Sequence, residues 1–254
     1  MLKKLMKYDM KSLNRFLIII HAFLLLSIIA ANVFFFFFIS VDSSSIFFFT
    51  LLFLYIFMIA GTSFATSILI AVRFYKNLYS DEGYLTFTLP VTKSQILISK
   101  ILTGTLWVYI NQVFIFVSIA TLMIPGKHTI IRTLSAIPGF SSPGRIILGF
   151  LLFLLVDAVS TTTMIYASIT IGQHFHGHPI LGSIVTYFGL QTVCSIIVYA
   201  VLFLTGIGFQ PVADMSHFSY VLNTLKISFV FQVITSVILY IVTYQMMKKK
   251  VNLN

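Results

Sequence analysis

The chain has 254 residues, 59% of them hydrophobic and only 9% charged, with a formal net charge of +10 and a mean hydropathy of +1.03. So little polar surface excludes a soluble globule. What remains is an all-α membrane protein, a single transmembrane domain over residues 1–254 with almost no length left for a soluble part.

Residues 1–15 can be laid on a helix with Leu2, Leu5, Met6, Leu13 and Phe16 on one stripe and Lys3, Lys4, Lys7, Lys11 and Arg15 away from it. The pattern predicts an interfacial amphipathic helix ahead of the first membrane crossing. Asp9 falls within the apolar sector, so it either meets a basic residue from a loop or frays toward water. The first crossing is read over 16–39. It is too long for a secretory signal and no small-x-small cleavage site closes it. The phenylalanine runs Phe34–Phe38 and Phe47–Phe49 flank the turn that follows and suit lipid contact near an interface.

The second crossing is read over 46–72. Within it Gly61 and Ala65, Thr62 and Thr66, and Ser63 and Ser67 each stand four apart, a spacing that lets helix backbones approach closely. The weaker set Gly182, Thr186 and Gly189 recurs later.

Between crossings two and three the chain reads SDEGYLTFTLPVTKSQI. Ser80 with Asp81 and Glu82 is a helix start in cap and dipole chemistry. A two-turn helix follows over Asp81–Leu89, within the segment 80–89, with Tyr84, Phe87 and Thr88 on one side and Leu85 and Leu89 beside them, and Pro90 stops it. Thr92 and Gln95 then form a capping box for the next helix. A two-turn helix is unstable alone in water, so its face needs its own bundle, lipid headgroups or a partner protein.

Crossing three is read over 96–124 and crossing four over 146–171, with Pro-Gly pairs at Pro125, Pro138 and Pro143 breaking the chain between them. Asp157 sits near the middle of crossing four. A carboxylate there avoids lipid and faces the bundle, a cavity or a subunit interface. Asp157, Thr161, Asn111 and Gln112 are therefore substrate-path candidates, and a structural hydrogen bond from Asn111 or Gln112 to Asp157 is the alternative. The turn HFHGH brings His174, His176 and His178 to alternate positions without a carboxylate or thiolate to complete a metal site, so a polar turn is expected. Crossings five and six are read over 180–205 and 225–246. The single cysteine, Cys194, lies in crossing five and reads as a small apolar residue.

Alternating crossings put Lys3, Lys4, Lys7, Lys11, Arg15, Arg73, Lys76, Lys93, Lys100, Lys248, Lys249 and Lys250 on one side. Only Lys127, Arg132, Arg145 and Lys226 fall on the other. The positive-inside rule then predicts that both termini are cytoplasmic. The basic excess serves topology and anionic lipid, and implies no nucleic-acid partner. No Gly-x-x-x-x-Gly-Lys-Ser/Thr stretch, His-Glu-x-x-His or Gly-x-Ser-x-Gly elbow occurs, and the six acids are scattered. An enzyme is not expected, and any ATP would be handled by another chain.

The stretch LYSDEGYLTFTLPVTKSQILISKIL resembles the cytoplasmic loop of type II ABC exporter permeases, and the basic start, the IGQHFHGHPILGSI turn and the lysine tail are similar in layout. The histidines depart from the lysine or arginine expected in that turn. The resemblance implies a bacterial cell-membrane permease working as a dimer with itself or a related permease. Two separate ATPase subunits would bind ATP and Mg and grip the segment 80–89 as a coupling helix. Asp81, Glu82, Tyr84, Leu85, Phe87 and Leu89 would carry that coupling, and the exported compound would be an antimicrobial or toxin peptide, a drug or another amphipathic molecule. Rival readings are a proton-coupled secondary transporter using Asp157 and a non-transporting membrane scaffold or sensor.

Overall fold

The computed structural model describes residues 2–38, 46–122, 143–175, 177–206 and 217–249. Its helices are α1 (Leu2–Phe38), α2 (Ile46–Tyr79), the short α3 (Asp81–Phe87), α4 (Lys93–Leu122), α5 (Pro143–Gly172), α6 (Pro179–Leu204) and α7 (His217–Lys249). All but α3 contain a segment long and apolar enough to cross a membrane. Among the described residues the protein is all-helical, as the composition predicts. The ends of the first and third expected crossings, the segment 125–142, the turn 207–216 and His176 lie outside the described residues.

One expectation is corrected at the start of the chain. Among the described residues no break separates the expected interfacial segment from the first crossing, because Leu2–Phe38 is one helix of 37 residues. It contains no glycine or proline to stop it. At 1.5 Å per residue it runs roughly 55 Å, well beyond the ~30 Å of a hydrocarbon core. A single inward stripe of Asp9, Leu13, Leu17, His21 and Leu24 runs along it, all buried, while Lys3, Lys4, Lys7, Lys11 and Arg15 are exposed. The amphipathic segment thus extends the first crossing and packs on the bundle.

Two groups of helices make the bundle. α1 packs on α2 and α4, while α6 and α7 both pack on α5; α4 joins the groups by packing on α5. The main core fills the junction with Leu17, Ile70, Phe74, Leu97, Tyr166 and Met247. Phe74 and Tyr166 stack with ring centroids 3.9 Å apart and planes 7° apart, tying α2 to α5. Gly104 makes the α4–α5 approach possible, because a Cβ there would lie 2.5 Å from the Tyr166 hydroxyl. By contrast, a Cβ on Gly61 would meet nothing within 4 Å, so the expected Gly61 and Ala65 stripe is not the close crossing within this chain. Its neighbours Thr62 and Thr66 are the buried pair. Gly182 does serve a close approach, to Phe175 in the α5–α6 turn, and Gly189 does not.

Contacts also align the ends. Lys100 near the start of α4 meets Asp9 of α1, and the Lys93 ammonium donates to the Met247 carbonyl at 3.1 Å in the last turn of α7. A cation there complements the negative helix terminus. The start of α1, the α2–α4 connection and the end of α7 therefore share one end of the bundle, here termed the basic end.

Candidate functional site: a surface helix and a polar slot

At the basic end, α3 is held by its neighbours on both sides. The Tyr79 hydroxyl donates to Thr170 Oγ1 at 2.9 Å, fixing the end of α2 against α5. Ser80 has extended backbone, as a residue preceding a helix should, but its hydroxyl makes no cap bond to α3. It donates backward to the Lys76 carbonyl at 2.5 Å, so the helix start rests on Asp81, Glu82 and backbone geometry alone. The helix ends at Phe87, before the expected residue 89, with Thr88 as its C-cap. Pro90 disfavours helical backbone at Leu89 and limits continuation. The capping box forms as the spacing predicts: Gln95 N–H donates to Thr92 Oγ1, and Thr92 N–H to Gln95 Oε1, both at 3.3 Å.

The two sides of α3 differ sharply. Gly83 is buried; Phe87 is half-buried against the main core, with the Lys93 ammonium 5.7 Å from its ring centroid. Tyr84 and Leu85 are 65% and 69% exposed, and Leu89 is exposed as well. Phe87, expected on a docking face, is instead the anchor. Asp81 is exposed, and Glu82 pairs with Arg73 of α2 at 3.4 Å.

Behind α3 lies a buried polar cluster. The Lys100 ammonium donates to Asp9 Oδ1, the Asn77 amide donates to the same oxygen at 3.3 Å, and the Tyr166 hydroxyl donates to the Lys100 carbonyl at 3.1 Å. Asp9 has therefore found a basic partner, as one of its two readings supposed, although that partner lies within α4 and not in a loop.

The second feature is deeper. Because α6 and α7 both lean on α5 but touch one another little, a slot of about 380 Å³ opens between them. Its floor is Asp157, Ser160 and Thr161 of α5, and its walls include Gln191 and Ser195 of α6 and Ser228 and Gln232 of α7. Gln112 Nε2 donates to Asp157 Oδ2 at 2.7 Å, and Gln232 Nε2 donates to Oδ1 at 2.7 Å. Asn111 does not join them; its amide donates to Ser63 Oγ at 3.2 Å, bracing α4 on α2. Thr161, one of the four substrate-path candidates, lines the slot. Gln232 and Gln191 were missed in the sequence, and the signal available was an uncharged amide at mid-span in crossings five and six.

A second groove of about 430 Å³ lies between α2, α5 and α6, lined by Phe64, Ile68, Ile184 and Phe188 among others. Its serines Ser63, Ser67, Ser168 and Ser183 bond to carbonyls of their own helices, leaving an apolar surface suited to lipid. The histidine turn is built on Gly177, whose φ of +91° favours glycine, and Pro179 opens α6. His174 and His178 are exposed. Among the described residues no three metal-ligating side chains come together.

No protein-family model matches the chain, and neither a curated protein nor a solved structure matches it.

Proposed function

We propose that this chain is the membrane-spanning permease of an ATP-driven exporter of the type II ABC class, with its basic end in the cytoplasm. The observation that carries the reading is the posture of α3. It is anchored to its own bundle through Gly83 and Phe87, yet it leaves Tyr84 and Leu85 uncovered beside two carboxyl groups, with Leu89 exposed just past its end. An apolar, aromatic face on a firmly seated element suits a protein partner.

In this reading a separate ATPase, holding ATP and Mg, presses on α3. The push passes to α2 and α5 through Tyr79 and the Phe74–Tyr166 stack, and to α4 through the Thr92–Gln95 box. A second permease copy or a related chain completes the path, and the exported compound is amphipathic. A proton-coupled transporter is the second reading, favoured by one observation: Asp157 lies mid-span with amide donors and no basic partner among the described residues.

Purification of the protein from its native membrane tests the proposal. An ATP-binding subunit is expected to co-purify and to support vanadate-sensitive hydrolysis. Charge reversal at Asp81 and Glu82, or polar replacement of Tyr84 and Leu85, should remove it. Retention of the subunit by both variants, or its absence from the wild-type preparation, would overturn the docking role of α3.

A further inference from the structure

The slot between α6 and α7 is chemically unlike the rest of the bundle. Among the described residues its one formally charged lining group is Asp157, at the fifteenth of the thirty residues of α5 and so near mid-membrane. The two ion pairs among the described residues join Arg73 to Glu82 and Lys100 to Asp9, and no basic group answers Asp157. An ionised carboxylate at that depth is costly unless something neutralises it.

Its surroundings supply acceptors in excess. Both glutamine amides turn their N–H groups to the carboxylate, which leaves Gln112 Oε1 and Gln232 Oε1 buried without a donor. Thr162 and Thr163 of α5 return their hydroxyls to carbonyls of their own helix, whereas Ser160 and Thr161 line the slot and their side-chain hydroxyls have no hydrogen-bond partner among the described residues. Tyr187, Tyr199 and Phe231 contribute aromatic wall. An ammonium brings three N–H donors and one positive charge, and the aromatic walls offer it cation–π contact.

We propose that this slot binds a small organic cation, its ammonium at Asp157 and Gln232 and its apolar body against Tyr187, Tyr199 and Phe231. The volume of about 380 Å³ lies at the lower end of small-molecule pockets, ~300–1,000 Å³. It holds one compact amine and excludes a long peptide as a whole. As a statement of substrate class this rests on the permease reading; as a statement of binding it does not, because no ATPase is needed to observe it.

The test uses the purified full chain in lipid nanodiscs, with dansylcadaverine as the cationic probe, its N-acetylated neutral form as the control, and empty nanodiscs subtracted. The amine should bind saturably and the acetylated form should not. Asp157→Asn, which keeps shape and hydrogen-bonding capacity, should weaken amine binding by about tenfold or more, as loss of a buried charge partner does. Ser195→Trp, which fills the slot and leaves the carboxylate in place, should also abolish it. Equal binding of the two probes, or binding of the amine unchanged by both substitutions, would overturn the proposal and point to a proton as the only cation at Asp157. Failure of ATPase co-purification would leave this binding result intact, so the two claims fail separately.

Discussion

Lys100 of α4 and Asp9 of α1 form a buried ion pair, each side chain 9% exposed. The pair joins an N-terminal extension to the helix that follows α3, with Asn77 of α2 donating to the same carboxylate oxygen. Three helices therefore meet at one charge pair directly behind the proposed docking element.

Breaking that pair from one side strands the other charge. Lys100→Met or Asp9→Leu alone should lower stability by about 3–5 kcal/mol, while the double substitution should recover much of the loss, because a well-packed apolar pair avoids the desolvation penalty. Unfolding of the detergent-solubilised single and double variants in a double-mutant cycle checks this; additive losses would count against the buried pair.

Gly104 predicts a steric effect. A Cβ there would sit 2.5 Å from the Tyr166 hydroxyl and 2.7 Å from Thr162 Cγ2, so Gly104→Ala should destabilise by about 1–3 kcal/mol. Gly61→Ala, with open space around it, is the control and should leave the unfolding temperature of the purified chain in place.

Asp157 separates charge from hydrogen bonding. Asp157→Asn can still accept from one glutamine through its oxygen and donate to the other through its NH2 once that one amide turns, and should change stability by less than about 1 kcal/mol. Asp157→Val leaves both amides unmatched and should cost about 1–3 kcal/mol for each. Thermal unfolding of the two variants in the same detergent distinguishes them; equal losses would mean that the amides do not depend on the carboxyl group.

On α3 the exposed and anchored residues should behave differently. Tyr84→Ser and Leu85→Ser remove side chains that the chain itself does not bury, so stability should move by no more than about 0.5 kcal/mol. Phe87→Ala should destabilise measurably more, by on the order of 1–3 kcal/mol for a partly buried aromatic ring. Arg73→Ala removes a solvent-exposed pair with Glu82 and should cost less than about 1 kcal/mol. Limited proteolysis at the α2–α4 connection offers the readout, with faster cleavage expected only for the Phe87 variant.

The helix inventory was legible in the sequence because it is local. Hydropathy over about twenty residues marks a crossing, and the Thr92–Gln95 box needs no tertiary partner to be recognised. The boundary expected after Arg15 was misplaced because a change from mixed to apolar composition alters what a helix touches without breaking its backbone hydrogen bonds. Ser80 was legible as a position preceding a helix but not as a donor to Lys76, since either bond satisfies a serine hydroxyl.

Sequence alone determined that this chain is helical, that six segments can span a bilayer, that its basic residues gather toward one end and that a short apolar helix interrupts the second connection. Only the tertiary structure decided which polar residues meet: Asp157 with Gln112, 45 positions away, and with Gln232, 75 away, and Asp9 with Lys100, 91 away. Crossings five and six have almost no amphipathic period, so the sequence pattern in them does not say which face turns inward. That choice is made by close packing at residues such as Gly104 and by the few polar side chains that must find one another in a medium without water.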